Sequence, residues 1–234
     1  MTITGVLFDF SGTLLRVEPA VRWLAGALAR TGRTLPEAEL ARTAALLEEA
    51  GALPGGAAPR TVPPELRELW DGRDRSAERH RAAYTALARR VPLPAEELYD
   101  ALYERHMTPE AWQPYPDTLR VLRGLHERGV PTTVVSNIGW DLRPVLRAHG
   151  LDGYLGPAVL SYEHGVQKPD PRLFRAACAE LGREPHEVLM VGDDPRADGG
   201  AAAVGCRVHL VDHLPADRRP DGLEPLLELV GRSV

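Results

Sequence analysis

Three short apolar runs in this chain each end on side chains that an apolar core cannot keep. VLFD ends at Asp9, TVVSN at Ser136 and Asn137, and EVLMVGDD at Asp193 and Asp194. Runs this short, rich in branched aliphatic residues, read as buried strands. Between them stand segments with apolar residues three and four apart. DTLRVLRGLHERG closes at Gly129 and DPRLFRAACAELG at Gly182, each with the glycine that ends a helix. Strands alternating with helices predict an α/β fold, a three-layer Rossmann-like parallel sheet with right-handed crossovers. A helix around Leu142 to His149, a weak strand near AVLSY, a helix start at ADGGAAAVG, a strand at CRVHLVD and a closing helix at LEPLLELVGR complete the pattern. Ligands of such sheets sit beyond the carboxyl ends of the strands. The polar run ends therefore mark one expected site.

The alternation is interrupted once. From about Glu18 to His106 the pattern is helical throughout, in EPAVRWLAGALARTG, PEAELARTAALLEEAG, RDRSAERHRAAYTALARRV and PAEELYDALYERHM. GALPGGAAPRTVPP, rich in Gly and Pro, reads as a long loop between the second and third of these. The expected organisation is a core domain over 1–16 and 116–234 and an all-helical cap domain over 17–115. The links RVEP and QPYPD bound the insert, as they would a mobile lid over the strand ends. ADRRPDG reads as a charged surface turn.

Composition narrows the function classes. At 234 residues, 44% hydrophobic and 26% charged, the chain is long enough for a sizeable core. A formal charge of −5 with no basic run argues against a nucleic-acid partner. No basic leader and no membrane-length apolar run is present, so a cytoplasmic protein with no membrane partner is expected. Cys178 and Cys206 read as small buried residues, and the oligomeric state is not legible. Of 28 lysines and arginines only Lys168 is lysine, so chemistry that needs an ammonium has one candidate.

FDFSGTL, VVSN, QKPDP and VGDDPRAD, in this order, resemble the motifs of the haloacid dehalogenase-like hydrolase superfamily. The resemblance spans the core, and the helical insert after the first motif is similar to the cap of many members. It implies that Asp9 is a nucleophile forming an aspartyl-phosphate. It implies phosphate contacts from the turn at Gly12 and Thr13 and from Ser136, with Asn137 a weaker carry-over. Lys168 would offset the negative charge around Asp9. Mg²⁺ would be held by Asp9, the Ser11 carbonyl and Asp193, with Asp194 or Asp198 acting through water or bracing Lys168. Read without the resemblance, Asp9 could cap a turn, Ser136 and Asn137 a helix, and Lys168 could be a solvated surface residue.

Phosphatases of this superfamily carry a second Asp two residues after the nucleophile, where this chain has Ser11. A hydroxyl is a poor proton donor and base near neutral pH. Dehalogenases of the superfamily also lack that acid and use no metal, but they usually lack the acids of the last motif, which Asp193 and Asp194 supply. Phosphonate cleavage needs a cap lysine, and the insert has none. The expectation is a Mg²⁺-dependent phosphatase of a small phosphate ester, with Ser11 replacing the second Asp. In it, Ser11→Asp should speed aryl-phosphate hydrolysis. The alternatives are a 2-haloacid dehalogenase and a catalytically weak binding protein. The arginines of the insert, Arg22, Arg73, Arg75, Arg79 and Arg81, read as a solvated helix face; His80, His106 and His164 read as ordinary histidines.

Overall fold

The computed structural model describes residues 2–230. Its centre is a parallel sheet whose strands are β1 (Gly5–Phe8), β4 (Thr132–Ser136), β5 (Val159–Leu160), β6 (Val188–Gly192) and β7 (Arg207–Leu210). Two further strands, β2 (Leu15–Val17) and β3 (Trp112–Pro114), stand outside it. The order across the sheet is β5-β4-β1-β6-β7. The chain builds outward from β1 on one side, then returns to build on the other. That reversal opens a crevice at the carboxyl end of β1, flanked by β4 and β6.

Side chains alternate through the sheet, as the pleat requires. Val6, Phe8, Val134 and Leu189 join Val121, Leu122 and Leu125 of α6 (Thr118–Glu127) on one face. Leu7, Val135 and Met190 join Leu173, Phe174 and Ala177 of α9 (Pro171–Leu181) on the other. Each such buried side chain contributes roughly 1.5–3 kcal/mol. The expected α/β architecture with helices on both faces is what the structure has. The short helices α7 (Arg143–Ala148), α8 (Ser161–His164) and α10 (Leu226–Leu229) complete it. The helix start expected at ADGGAAAVG is a 3₁₀ turn over Asp198–Val204. Of the closing segment LEPLLELVGR, Gly231 and Arg232 lie outside the described residues.

The helices expected between 18 and 106 all form: α1 (Ala20–Arg30), α2 (Glu37–Glu49), α4 (Ala77–Ala88) and α5 (Glu97–Arg105), joined by the short α3 (Arg67–Asp71). Their apolar faces are continuous with the α6 side of the sheet. The Trp23 indole N–H donates to the Leu102 carbonyl at 2.8 Å, tying α1 to α5. The flanks differ from expectation. β2 and β3 pair antiparallel, Leu15 with Pro114 and Val17 with Trp112, so the two connections form one ribbon. The boundaries expected at 16/17 and 115/116 cut through or beside it. Three-residue strands are too short to leave a periodic signature. No described helix is long and apolar enough to cross a membrane.

Candidate active site

Asp9, Ser136, Asn137 and Asp193 converge on one cavity of about 560 Å³ at the carboxyl side of β1, β4 and β6. Asp9 follows β1 directly, 7% exposed, its amide donating to the Val191 carbonyl at 2.8 Å. Lys168 Nζ donates to Asp9 Oδ1 and to Asp198 Oδ1, each at 2.6 Å. The lysine is held from behind. Its amide donates to Asn137 Oδ1 at 2.6 Å, and Asn137 Nδ2 donates to its carbonyl at 3.0 Å. Asn137 lines the cavity, but both ends of its amide serve Lys168.

Asp193, Asp194 and Asp198 divide the work of the turn after β6. Asp198 is buried; Oδ1 meets Lys168, while Oδ2 accepts from the amides of Asp193 and Asp194 at 3.0 Å. The exposed Asp194 accepts from the amides of Arg196 and Ala197, capping its own turn. Asp9, Asp193 and Asp198 each offer an oxygen within 4.8 Å of the others, a cluster from which Asp194 stands apart. Crowding shows in the electrostatics. Burial, with help from Asp198 and Asp193, pushes the Asp9 carboxyl up to about 7 against the pull of Lys168. Burial alone would lower Lys168, but Asp198 and Asp9 outweigh it and hold the ammonium above its usual range.

Gly12 and Thr13 follow Ser11 but do not line the cavity, and the Gly12 amide donates to the Leu15 carbonyl at 2.8 Å. Gly12 has φ +83°, and a side chain there would run into Asp193 and His213. Thr13 is fully buried, and its hydroxyl has no partner among the described residues. Ser11 lines the cavity with Asp9, and its hydroxyl donates to the Gly55 carbonyl at 3.4 Å, on the loop between α2 and α3.

Several participants escaped sequence reasoning. The His213 ring contacts the Asp193 carboxylate from the loop after β7. The surface turn expected at ADRRPDG is overturned at Arg219, which is 4% exposed. Its guanidinium donates to the carbonyls of Gly12 (2.6 Å), Thr13 and Asp212 (3.1 Å) and lies 3.2 Å over the Tyr115 ring. Arg73, expected on a solvated face, lines the cavity and stacks on Trp70 at 3.9 Å. Asp74 beside it lines the cavity as well. His80 and His106 are buried, and burial keeps both neutral, His106 near a pKa of about 3. His164 is exposed and does not line the cavity. Cys178 and Cys206 are buried free thiols.

The model of the haloacid dehalogenase-like hydrolase family matches residues 3–205. A phosphoserine phosphatase of Thermus thermophilus is 38% identical over 125 residues, 52% of this chain and 49% of that protein. The match thus spans about half the length of that relative. Among solved structures, a phosphatase of the same family from Thermococcus onnurineus is 26% identical with a TM-score of 0.56, covering 91% of this chain and 86% of that one. A dehalogenase solved with an intermediate shares the fold over 99% of both chains, with TM-score 0.70 and 23% identity.

Proposed function

Because the chain belongs to the haloacid dehalogenase-like hydrolase family, we propose that it is a Mg²⁺-dependent phosphatase of a small phosphorylated metabolite. Asp9 attacks the phosphorus, the ester oxygen leaves, and an aspartyl-phosphate forms that water then hydrolyses. Lys168, fixed by Asn137 and Asp198, stabilises charge on the phosphoryl oxygens as it develops. The Ser136 hydroxyl and the turn at Gly12 and Thr13 orient the group. The helical segment between β2 and β3 acts as the cap that shuts out water.

The donor set fits a hard divalent cation. Burial raises the Asp9 carboxyl first, and repulsion from the neighbouring acids Asp198 and Asp193 adds to it. Asp9, Asp193 and the Ser11 carbonyl would hold the ion, while Asp198 is already committed to Lys168 and two amides. When bound, Mg²⁺ supplies charge neutralisation at the transferring phosphoryl group.

The observation that carries this reading is the ammonium of Lys168 at 2.6 Å from Asp9, with the Asp193 carboxylate in the same cluster. Aryl-phosphate hydrolysis with Mg²⁺, with chelator, and by Asp9→Asn tests it. Turnover that needs Mg²⁺ and vanishes in the variant is expected. Chloride release from 2-chloropropionate without metal would move the assignment to a dehalogenase. Binding without turnover would make it a binding protein.

A further inference from the structure

Ser11 leaves the phosphatase reading without a proton donor, and its hydroxyl is turned to the Gly55 carbonyl. The cavity holds another carboxyl in a suitable place. Asp74 lies in a 3₁₀ turn, Arg73–Arg75, just ahead of α4, and its side chain is 4% exposed. That turn is docked onto the sheet domain beside Lys168. The Ser161 hydroxyl donates to the Asp74 carbonyl at 2.6 Å, and Gln167 Nε2 donates to the Asp71 carbonyl at 2.8 Å.

The carboxyl is oddly unsupported for its burial. Its nearest cationic atom is Arg73 Nη2 at 3.4 Å, with the neutral His80 Nε2 at 3.8 Å, and Arg73 Nη1 is given to the Trp70 carbonyl. No described group donates a hydrogen bond to it. Its oxygens are not among the fully enclosed atoms that lack a partner; they open onto the cavity, where a ligand can reach them. Burial raises its pKa, opposed by Arg73 and by Lys168, whose charge reaches it across the cavity. Tyr84 and Tyr103 of α4 and α5 and the neutral His80 stand behind it, so no further cation pulls its proton away. Position matters as much. Asp9 faces the cavity from the sheet and Asp74 from the helical segment, and in-line displacement at phosphorus places the leaving oxygen opposite the nucleophile.

We propose that Asp74 is the general acid and base of the reaction, delivered from the helical segment to replace the acid that Ser11 lacks. This rests on the phosphatase reading. In the first step an Asp9 carboxylate oxygen bonds to phosphorus, the phosphorus–ester oxygen bond breaks, and the Asp74 carboxyl passes its proton to the departing alkoxide. In the second step the Asp74 carboxylate takes a proton from the attacking water as its oxygen bonds to phosphorus. The acyl-phosphate bond then breaks, returning the Asp9 carboxylate, free phosphate and a protonated Asp74.

Leaving-group dependence is the test. A series of aryl phosphates of graded phenol acidity, plus an alkyl phosphate, is assayed with the wild type and Asp74→Asn. The acidic phenols leave without help, so their kcat/KM, which reports the first step alone, should change less than about 10-fold, while the alkyl ester should lose about 10²–10⁴ in kcat/KM. The aryl arm reports folding of the variant in the same assay. An equal loss across the series, no loss, or a KM rise confined to substrates bearing an ammonium group would overturn the relay. The wild type supplies an independent arm: a steep dependence of its own rates on phenol acidity would also overturn it. No turnover of any phosphate ester removes the phosphatase reading and the relay together, whereas turnover with an unchanged slope removes the relay alone.

Discussion

Lys168 Nζ sits midway between two buried carboxylates, 2.6 Å from Asp9 Oδ1 and 2.6 Å from Asp198 Oδ1. Removing the cation leaves both acids buried without their counter-charge, a loss of about 3–5 kcal/mol for a broken buried pair. Lys168→Met is therefore expected to lower the urea midpoint by that equivalent and to cut turnover at least about 10²-fold. A variant of wild-type stability would mean the carboxylates are neutral without the lysine.

The Asp9 carboxyl carries a pH signature. Its folded pKa of about 7 lies above the ordinary 3.8, so the native state keeps a proton that the unfolded chain has released. Its contribution to stability is full below 3.8 and is lost as pH rises toward about 7. Without divalent cation, Tm should fall across that window, by roughly 2–4 °C per kcal/mol lost in a chain of this size. Mg²⁺ should raise Tm more at pH 8 than at pH 5, and Asp9→Asn should flatten the fall. Thermal melts in chelator and in Mg²⁺ read all three.

Ser11→Asp is expected to slow the enzyme, contrary to what the sequence alone suggests. The Ser11 hydroxyl faces the Gly55 carbonyl, and a Cβ on Gly55 would lie 2.8 Å from Ser11 Oγ. A carboxylate there meets a carbonyl oxygen with no donor between them, a partly buried mismatch costing up to about 1–3 kcal/mol. Steady-state rates on an aryl phosphate decide it, and acceleration would show that the loop around Gly55 yields easily.

Arg219 holds the nucleophile's loop from outside the cavity. Its bonds to the Gly12 and Thr13 carbonyls fix the turn that follows Ser11. Arg219→Ala should destabilise the fold by about 1–3 kcal/mol through buried carbonyls left unpaired. It should also weaken inhibition by inorganic phosphate. Arg219→Lys should recover little, because a single ammonium nitrogen replaces neither the two spaced guanidinium nitrogens nor the planar face over Tyr115. Unchanged phosphate inhibition well below Tm would reduce the role to scaffolding.

What the sequence made legible follows from local patterning. The strand ends at Asp9, Ser136 and Asp193 could be read because apolar runs of that length and composition have few other uses. Lys168 stood out because arginine fills the other basic positions. The ribbon of β2 and β3 was hidden by its brevity. Arg219 and Arg73 were hidden by a sound expectation, that charged residues stay in water, which fails when distant carbonyls or an aromatic ring receive them. Asp74 and His213 matter through partners far away in sequence, and no local pattern encodes such a meeting.

The family model matches residues 3–205, and β7, His213 and Arg219 all come later. A truncation at that border would bare the outer edge of β6 and release the turn beside the nucleophile. The matched stretch thus lacks the outer strand of the sheet and the side chain that holds the turn after Ser11. Swapping it into another scaffold would transplant the reacting groups while leaving behind the arginine that keeps their turn in shape.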